Sequence, residues 1–199
     1  VTKVVSNEDA TKQNITALLD EMAKNIQPQD LFVFFGASHG VLFDGQYYLV
    51  THSYNGVLDP NTMISSNDII NASKQIAAFK QLFILDTCHA GGLDAVMSGL
   101  YDSKMSVLAK KSGLHIYASA GSQQTAIDGY KGNGLFTYVL LNALGEPVKV
   151  DKSKEGRVSV EEMGIFTKDM TSNISASIGH KQTPTILHFG KDYDLIKVK

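Results

Sequence analysis

The sequence predicts an α/β fold of three layers, a largely parallel central sheet with helices on both faces, built as one domain over residues 1–199. Three observations predict it. Leu31, Phe32, Val33, Phe34 and Phe35 form an uninterrupted apolar run of strand length. A second such run, Leu82, Phe83, Ile84 and Leu85, follows a segment with helical spacing. A third, in "LHIYASA" from Leu114, is again followed by a helical pattern, so that strand and helix alternate.

Each element has its own signal. In residues 14–26 the apolar side chains Ile15, Leu18, Leu19, Met22 and Ile26 recur at helical spacing, and Ser6 with Asp9 has capping-box spacing upstream. The run from Leu31 reads as a central parallel strand buried on both faces. "VLFDGQYYLV" after Gly40 places two short apolar runs around Asp44 and Gly45, a hairpin signal. Ile69, Ile70, Ser73 and Ile76 mark a helix, and the next buried strand ends at Asp86. A Gly/Ser/Gln-rich loop follows "LHIYASA" and leads to a helix holding Phe136, Val139, Leu140 and Ala143. Ser159 and Glu162 have capping-box spacing before Met163, Phe166 and Met170, and a last strand is expected around Ile186 to Phe189.

Composition narrows the function. With 43% hydrophobic and 19% charged residues the chain has ordinary globular usage, so a folded core is expected rather than disorder. A net charge of −2 with scattered lysines gives no basic stripe for nucleic acid. No apolar run approaches the roughly 20 residues that span a bilayer, and no signal peptide is read, so a cytoplasmic protein without a membrane partner is expected. The single cysteine, Cys88, forbids an internal disulfide and suits a reducing compartment or a reactive thiol. A start at Val1 reads as a processed product or an excised piece, with a separate or cleaved N-terminal segment as a possible partner.

Sheets of this kind present functional groups beyond the carboxyl ends of their strands. Two chemical candidates stand there: His39, four residues after the first apolar run, and Cys88, three after the second. A thiol attacks a carbonyl as thiolate and needs a neighbouring base, and neighbouring parallel strands would bring these loops together although 49 residues separate them. His39 then serves as base and afterwards as acid toward the leaving amine. The amides of Gly40 and Cys88 are the expected oxyanion donors, and Gly91 and Gly92 allow a sharp bend after the nucleophile.

"LFVFFGASHG" followed by "LFILDTCHAGG" resembles the His-Gly and Asp-x-Cys motifs of the caspase and metacaspase clan, and the histidine-to-cysteine spacing agrees with the caspase spacing of about 50 residues. "IYASAGSQQTAID" and "GLFTYVLLNAL" extend the likeness to bacterial caspase-like peptidases over most of the chain. The resemblance implies a caspase-like fold and a cysteine endopeptidase acting on polypeptides. Asp86 and Thr87 before Cys88 follow metacaspases rather than the Gln-Ala-Cys of caspases, which implies that Asp86 lines the primary pocket and that cleavage follows Arg or Lys. Ser119 and Asp128 are further substrate-binding candidates. Ala37 and Ser38 stand where the family usually has Ser-Gly, and the family's first strand and helix are expected to be missing before Val4. Lys104, Lys110 and Lys111 offer sites for self-cleavage.

Other readings stand beside these. Cys88 can be a buried small hydrophobe, Asp86 a loop anchor through backbone hydrogen bonds, and Ser119 and Asp128 ordinary loop polarity. His89 is read as structural. Gly36, Ser38 and Gly40 match a serine-hydrolase elbow, although that elbow requires a helix where a hairpin is predicted. The histidines and the cysteine show no metal-ligand pairing. No cofactor is required, and calcium activation, which occurs among metacaspases, finds no EF-hand loop in the reading. From another class, an inactive caspase-like module would bind partners without turning over a substrate.

Overall fold

A computed structural model describes residues 1–88, 113–121 and 123–198. The helical pattern near the start becomes α1 (Lys12–Asn25), and β1 (Leu31–Ala37) follows it. A hairpin of β2 (Gly40–Phe43) and β3 (Gln46–Leu49) comes next, with β4 (Ile64–Ser65) pairing on β3. Asp44 and Gly45 in its turn both have positive φ, 50° and 73°, the backbone a two-residue type I′ turn demands. Then come α2 (Ser66–Gln75) and β5 (Lys80–Asp86). β6 (Gly113–Ala118), α3 (Leu135–Gly145) and α4 (Pro147–Val150) lead to β7 (Arg157–Ser159) and α5 (Val160–Ser177). β8 (Thr185–Gly190) and β9 (Asp194–Lys197) end the chain.

The main sheet has the order β1-β5-β6-β8. β1, β5 and β6 are mutually parallel and β8 is antiparallel to β6, so the largely parallel sheet holds. Alternation along β5 sends Phe83 and Leu85 into a core shared with Leu19, Ile69 and Ile70 of α1 and α2. Leu82 and Ile84 turn the other way, onto Phe136, Leu140 and Met163 of α3 and α5. Helices therefore cover both faces, as expected. The capping box of Ser159 and Glu162 forms and starts α5, and a second one, Ser65 with Asp68, starts α2.

Two expectations are corrected. Among the described strands β1 is the last in the sheet order, not a central one, and Leu31, Val33 and Phe35 are exposed on one of its faces. Ser6 makes no side-chain cap; Thr11 caps α1 by accepting from the Asn14 amide at 3.2 Å.

Candidate active site

The parallel register of β1 and β5 pairs Ala37 with Asp86, the last residue of each strand. His39 and Cys88 each lie two residues past that pair, so both loops leave the sheet at one level. The ladder reaches one step further, with the Ser38 amide donating to the Asp86 carbonyl at 3.4 Å. His39 is exposed and Cys88 half-buried.

Gly40 shows how closely the two loops meet. A Cβ on it would lie 2.2 Å from the Cys88 carbonyl oxygen, 2.7 Å from Thr87 Oγ1 and 2.9 Å from the Tyr47 ring. No side chain fits there, so backbone touches backbone beside the thiol-bearing residue. On its other side the loop is pinned to the segment after β3. The Val50 amide donates to the His39 carbonyl at 2.9 Å, and Ser38 Oγ donates to the Val50 carbonyl at 2.7 Å. Gly40 pairs with Leu49 one step beyond the bonded His39 and Val50, and the alternation of an antiparallel ladder turns the Gly40 amide away from β3.

Beneath Cys88 lies a buried polar floor. Thr87 Oγ1 and the Tyr47 hydroxyl are 2.6 Å apart, and burial pushes the Tyr47 phenol far up, so it stays protonated. Ser119 Oγ accepts from the Thr87 amide and donates to the Thr87 carbonyl, both at 2.9 Å. Beneath Ser119 in turn, the buried Gln182 side chain donates to the Ser119 carbonyl at 2.8 Å and accepts from the Ile127 amide at 2.9 Å.

Asp86 points toward the start of α3. That helix begins at Gly134, which has no side chain to cap it, and Asp86 Oδ2 accepts from the Thr137 amide at 3.2 Å and from the Thr137 hydroxyl. A Cβ at Gly134 would lie 2.5 Å from the same oxygen. Burial raises the Asp86 carboxyl above the ordinary carboxylate range, helped by the nearby charge of Asp128 and opposed by the hydrogen bonds from Thr137 and by the neighbouring Ser119 hydroxyl.

The caspase-domain family model matches residues 2–189. The chain belongs to the caspase-domain family. This match assigns a cysteine peptidase domain in general terms. The crystal structure of a Geobacter sulfurreducens protein shares the fold, with a TM-score of 0.57 and 15% identity over 92% of this chain and 75% of that one. No curated protein matches the sequence.

The caspase domain thus gathers His39, Gly40, Asp86 and Cys88 at the carboxyl ends of β1 and β5, with Ser119 just beyond β6. Asp128 lies exposed in the loop before α3 and accepts from the Gly129 amide at 2.7 Å. Ser119 lies deeper. Its amide continues the ladder to the Leu85 carbonyl at 2.9 Å, so its side chain turns under Thr87 and is fully buried. The serine-hydrolase elbow is excluded, since Ser38 is followed by strand β2 rather than a helix. His89, Gly91, Gly92, Lys104, Lys110 and Lys111 lie outside the described residues.

Sequence reasoning missed Tyr47, Thr137 and Gln182, all used to hold the site. Thr137 alone had a local signal, a hydroxyl residue in the first turn of a helix that begins at glycine. Contrary to the expectation above, residues 151–162 do carry EF-hand spacing, with Asp151 first, Gly156 sixth and Glu162 twelfth. The loop closes on its own amides: Asp151 accepts from Gly156 at 2.9 Å and Glu162 from Ser153 at 2.9 Å, while Glu155 pairs with Arg157 at 3.1 Å. Among the described residues no three His, Cys, Asp or Glu side chains gather as a metal site, and no helix is long and apolar enough to cross a membrane.

Proposed function

We propose that this domain is a cysteine endopeptidase in which Cys88 attacks the scissile carbonyl and His39 carries the proton. The close approach of Gly40 to the Cys88 carbonyl carries this reading, because it joins the two loops at backbone contact. The Cys88 thiol loses its proton to His39 as the sulfur bonds to the carbonyl carbon. The tetrahedral oxygen then accepts from the Gly40 and Cys88 amides. His39 returns the proton to the amine as the peptide bond breaks, and a water molecule deprotonated by His39 hydrolyses the thioester. The cycle calls for no metal or cofactor, and its substrate is a polypeptide.

Cleavage after Arg or Lys belongs to the same proposal. Asp128 is close enough for its charge to disfavour that of Asp86, and among the described residues neither forms an ion pair. A substrate guanidinium or ammonium relieves that repulsion. Self-cleavage at Lys104, Lys110 or Lys111 extends it, and a fall in intact mass on incubation, absent in Cys88→Ala, checks that step.

A panel of peptides differing only in the residue before the cut tests the proposal. Hydrolysis after Arg or Lys is expected, lost by at least about 10³-fold in Cys88→Ala and by about 10² to 10⁴-fold in His39→Ala. Preference for Asp at that position overturns the specificity, and labelling of Cys88 by an arginyl thiol-reactive peptide that ignores His39→Ala overturns the pair.

A further inference from the structure

We infer that Ser119 is a positioning residue that aims the Cys88 amide at the oxyanion, an inference that rests on the nucleophile assignment above. The Thr87 carbonyl and the Cys88 N–H belong to one peptide unit. In a trans peptide these two groups point in opposite directions, and no cis bond occurs among the described residues. Ser119 Oγ donates to that carbonyl at 2.9 Å from below. Fixing the carbonyl toward the buried Ser119 therefore directs the Cys88 N–H away from it.

The clamp has two points. The same Oγ accepts from the Thr87 amide at 2.9 Å, so one hydroxyl holds both peptide units that flank Thr87. Rotation of the unit between Thr87 and Cys88 about its Cα–Cα axis would break the bond to the Thr87 carbonyl, and the bond from the Thr87 amide fixes the unit before it. Ser119 is itself immobile. It is fully buried, its amide donates to Leu85 and its carbonyl accepts from Gln182. A donor aimed in advance costs no reorganisation when negative charge develops on the carbonyl oxygen, whereas a free peptide must first turn. Serine is the residue suited to this, because one hydroxyl both accepts and donates. Neither alanine nor valine can do either.

The experiment compares Ser119→Ala with the wild type by three readouts on an arginyl peptide substrate. kcat should fall about 10- to 100-fold with KM within about twofold, and the affinity of a peptide aldehyde, whose hemithioacetal oxygen occupies the oxyanion position, should weaken by a similar factor. Alkylation of Cys88 by iodoacetamide, which forms no oxyanion, should keep its rate and pH profile. Ser119→Thr retains the hydroxyl and should recover most of kcat. An unchanged kcat and aldehyde affinity overturn the inference, and so does a rise in KM at constant kcat, which marks a substrate contact. Should Ser119→Ala not fold, Gln182→Ala removes the donor that holds the Ser119 carbonyl, and the same split is expected at smaller size; an unaltered kcat there is the overturning result. Failure of the nucleophile assignment is seen separately, as hydrolysis that survives Cys88→Ala or alkylation indifferent to His39→Ala.

Discussion

β5 and β6 bury polar groups at both of their ends, and the two ends use them differently. At the carboxyl end Ser119 spends its bonds on the backbone of Thr87, beside Cys88, and Gln182 donates to the Ser119 carbonyl beneath it. At the amino end Gln81 spends its own on the end of α2 and the chain beyond it. It accepts from Ser73 Oγ at 2.8 Å and donates to the carbonyls of Ser73, Ile76 and Ala78. Beside it His115 donates through Nε2 to the Lys191 carbonyl at 3.0 Å, since a carbonyl can only accept. Its Nδ1 then accepts from His188 Nδ1 at 2.8 Å, which sets both neutral tautomers. Both networks are buried, but only the first stands beneath loops that leave the sheet at the carboxyl ends of parallel strands. Buried polarity is therefore no mark of a site by itself; what it holds in place decides.

Substitutions at the two ends should separate activity from stability. The largest effect is expected for Gly40→Ala. Its Cβ would meet the Cys88 carbonyl at 2.2 Å, so hydrolysis should fall at least about 100-fold and the protein should lose about 1–3 kcal/mol, read by peptide assay and denaturant titration. At the amino end Gln81→Leu leaves the partners of four hydrogen bonds unmatched and should cost about 2–4 kcal/mol in the same titration while kcat stays unchanged. A fall in kcat there would join the two ends into one functional unit.

Asp86→Asn sharpens the carboxyl end. Losing the charge should lower kcat/KM for an arginyl substrate at least about 10-fold and leave an uncharged substrate much less affected. Equal loss for both would assign Asp86 to capping α3 alone, through the Thr137 amide.

The smallest effect is a pH dependence at the amino end. Burial holds His115 below the ordinary imidazole range, with His188 adding to the effect and the Lys191 carbonyl opposing it; burial likewise lowers His188. The unfolded chain therefore binds more protons than the folded one as pH falls below about 6.5. Their contribution to stability is present above that pH and is lost as pH drops toward the folded values. His188→Gln should flatten the acid side of a plot of melting temperature against pH, and an unaltered slope would remove the pair from the account.

Much of this was legible in local pattern. The apolar runs of β5 and β6, the Asp44-Gly45 turn and the Ser159 and Glu162 capping box all form where the residues indicate, because each depends on neighbours within a few positions. β1 departs from expectation because an apolar run does not reveal its place in a sheet; that depends on pairing with a strand 49 residues away, as Leu31 with Lys80. Ser119 is a related case. Its position after β6 is visible in sequence, but whether its side chain faces a cleft or the underside of Thr87 depends on how far the ladder with β5 continues.

By itself, the sequence determined that strands and helices alternate, that a histidine and the lone cysteine each follow an apolar strand, and that a glycine stands beside that histidine. Tertiary structure alone decided that Ala37 and Asp86 end in register, that Gly40 touches the Cys88 backbone, and that Tyr47 bonds the Thr87 hydroxyl while Ser119, held by Gln182, bonds the Thr87 backbone. The physical reason is range: a helix or a turn is stabilised by residues close along the chain, whereas a site is assembled by contacts whose partners are brought together only when the sheet closes.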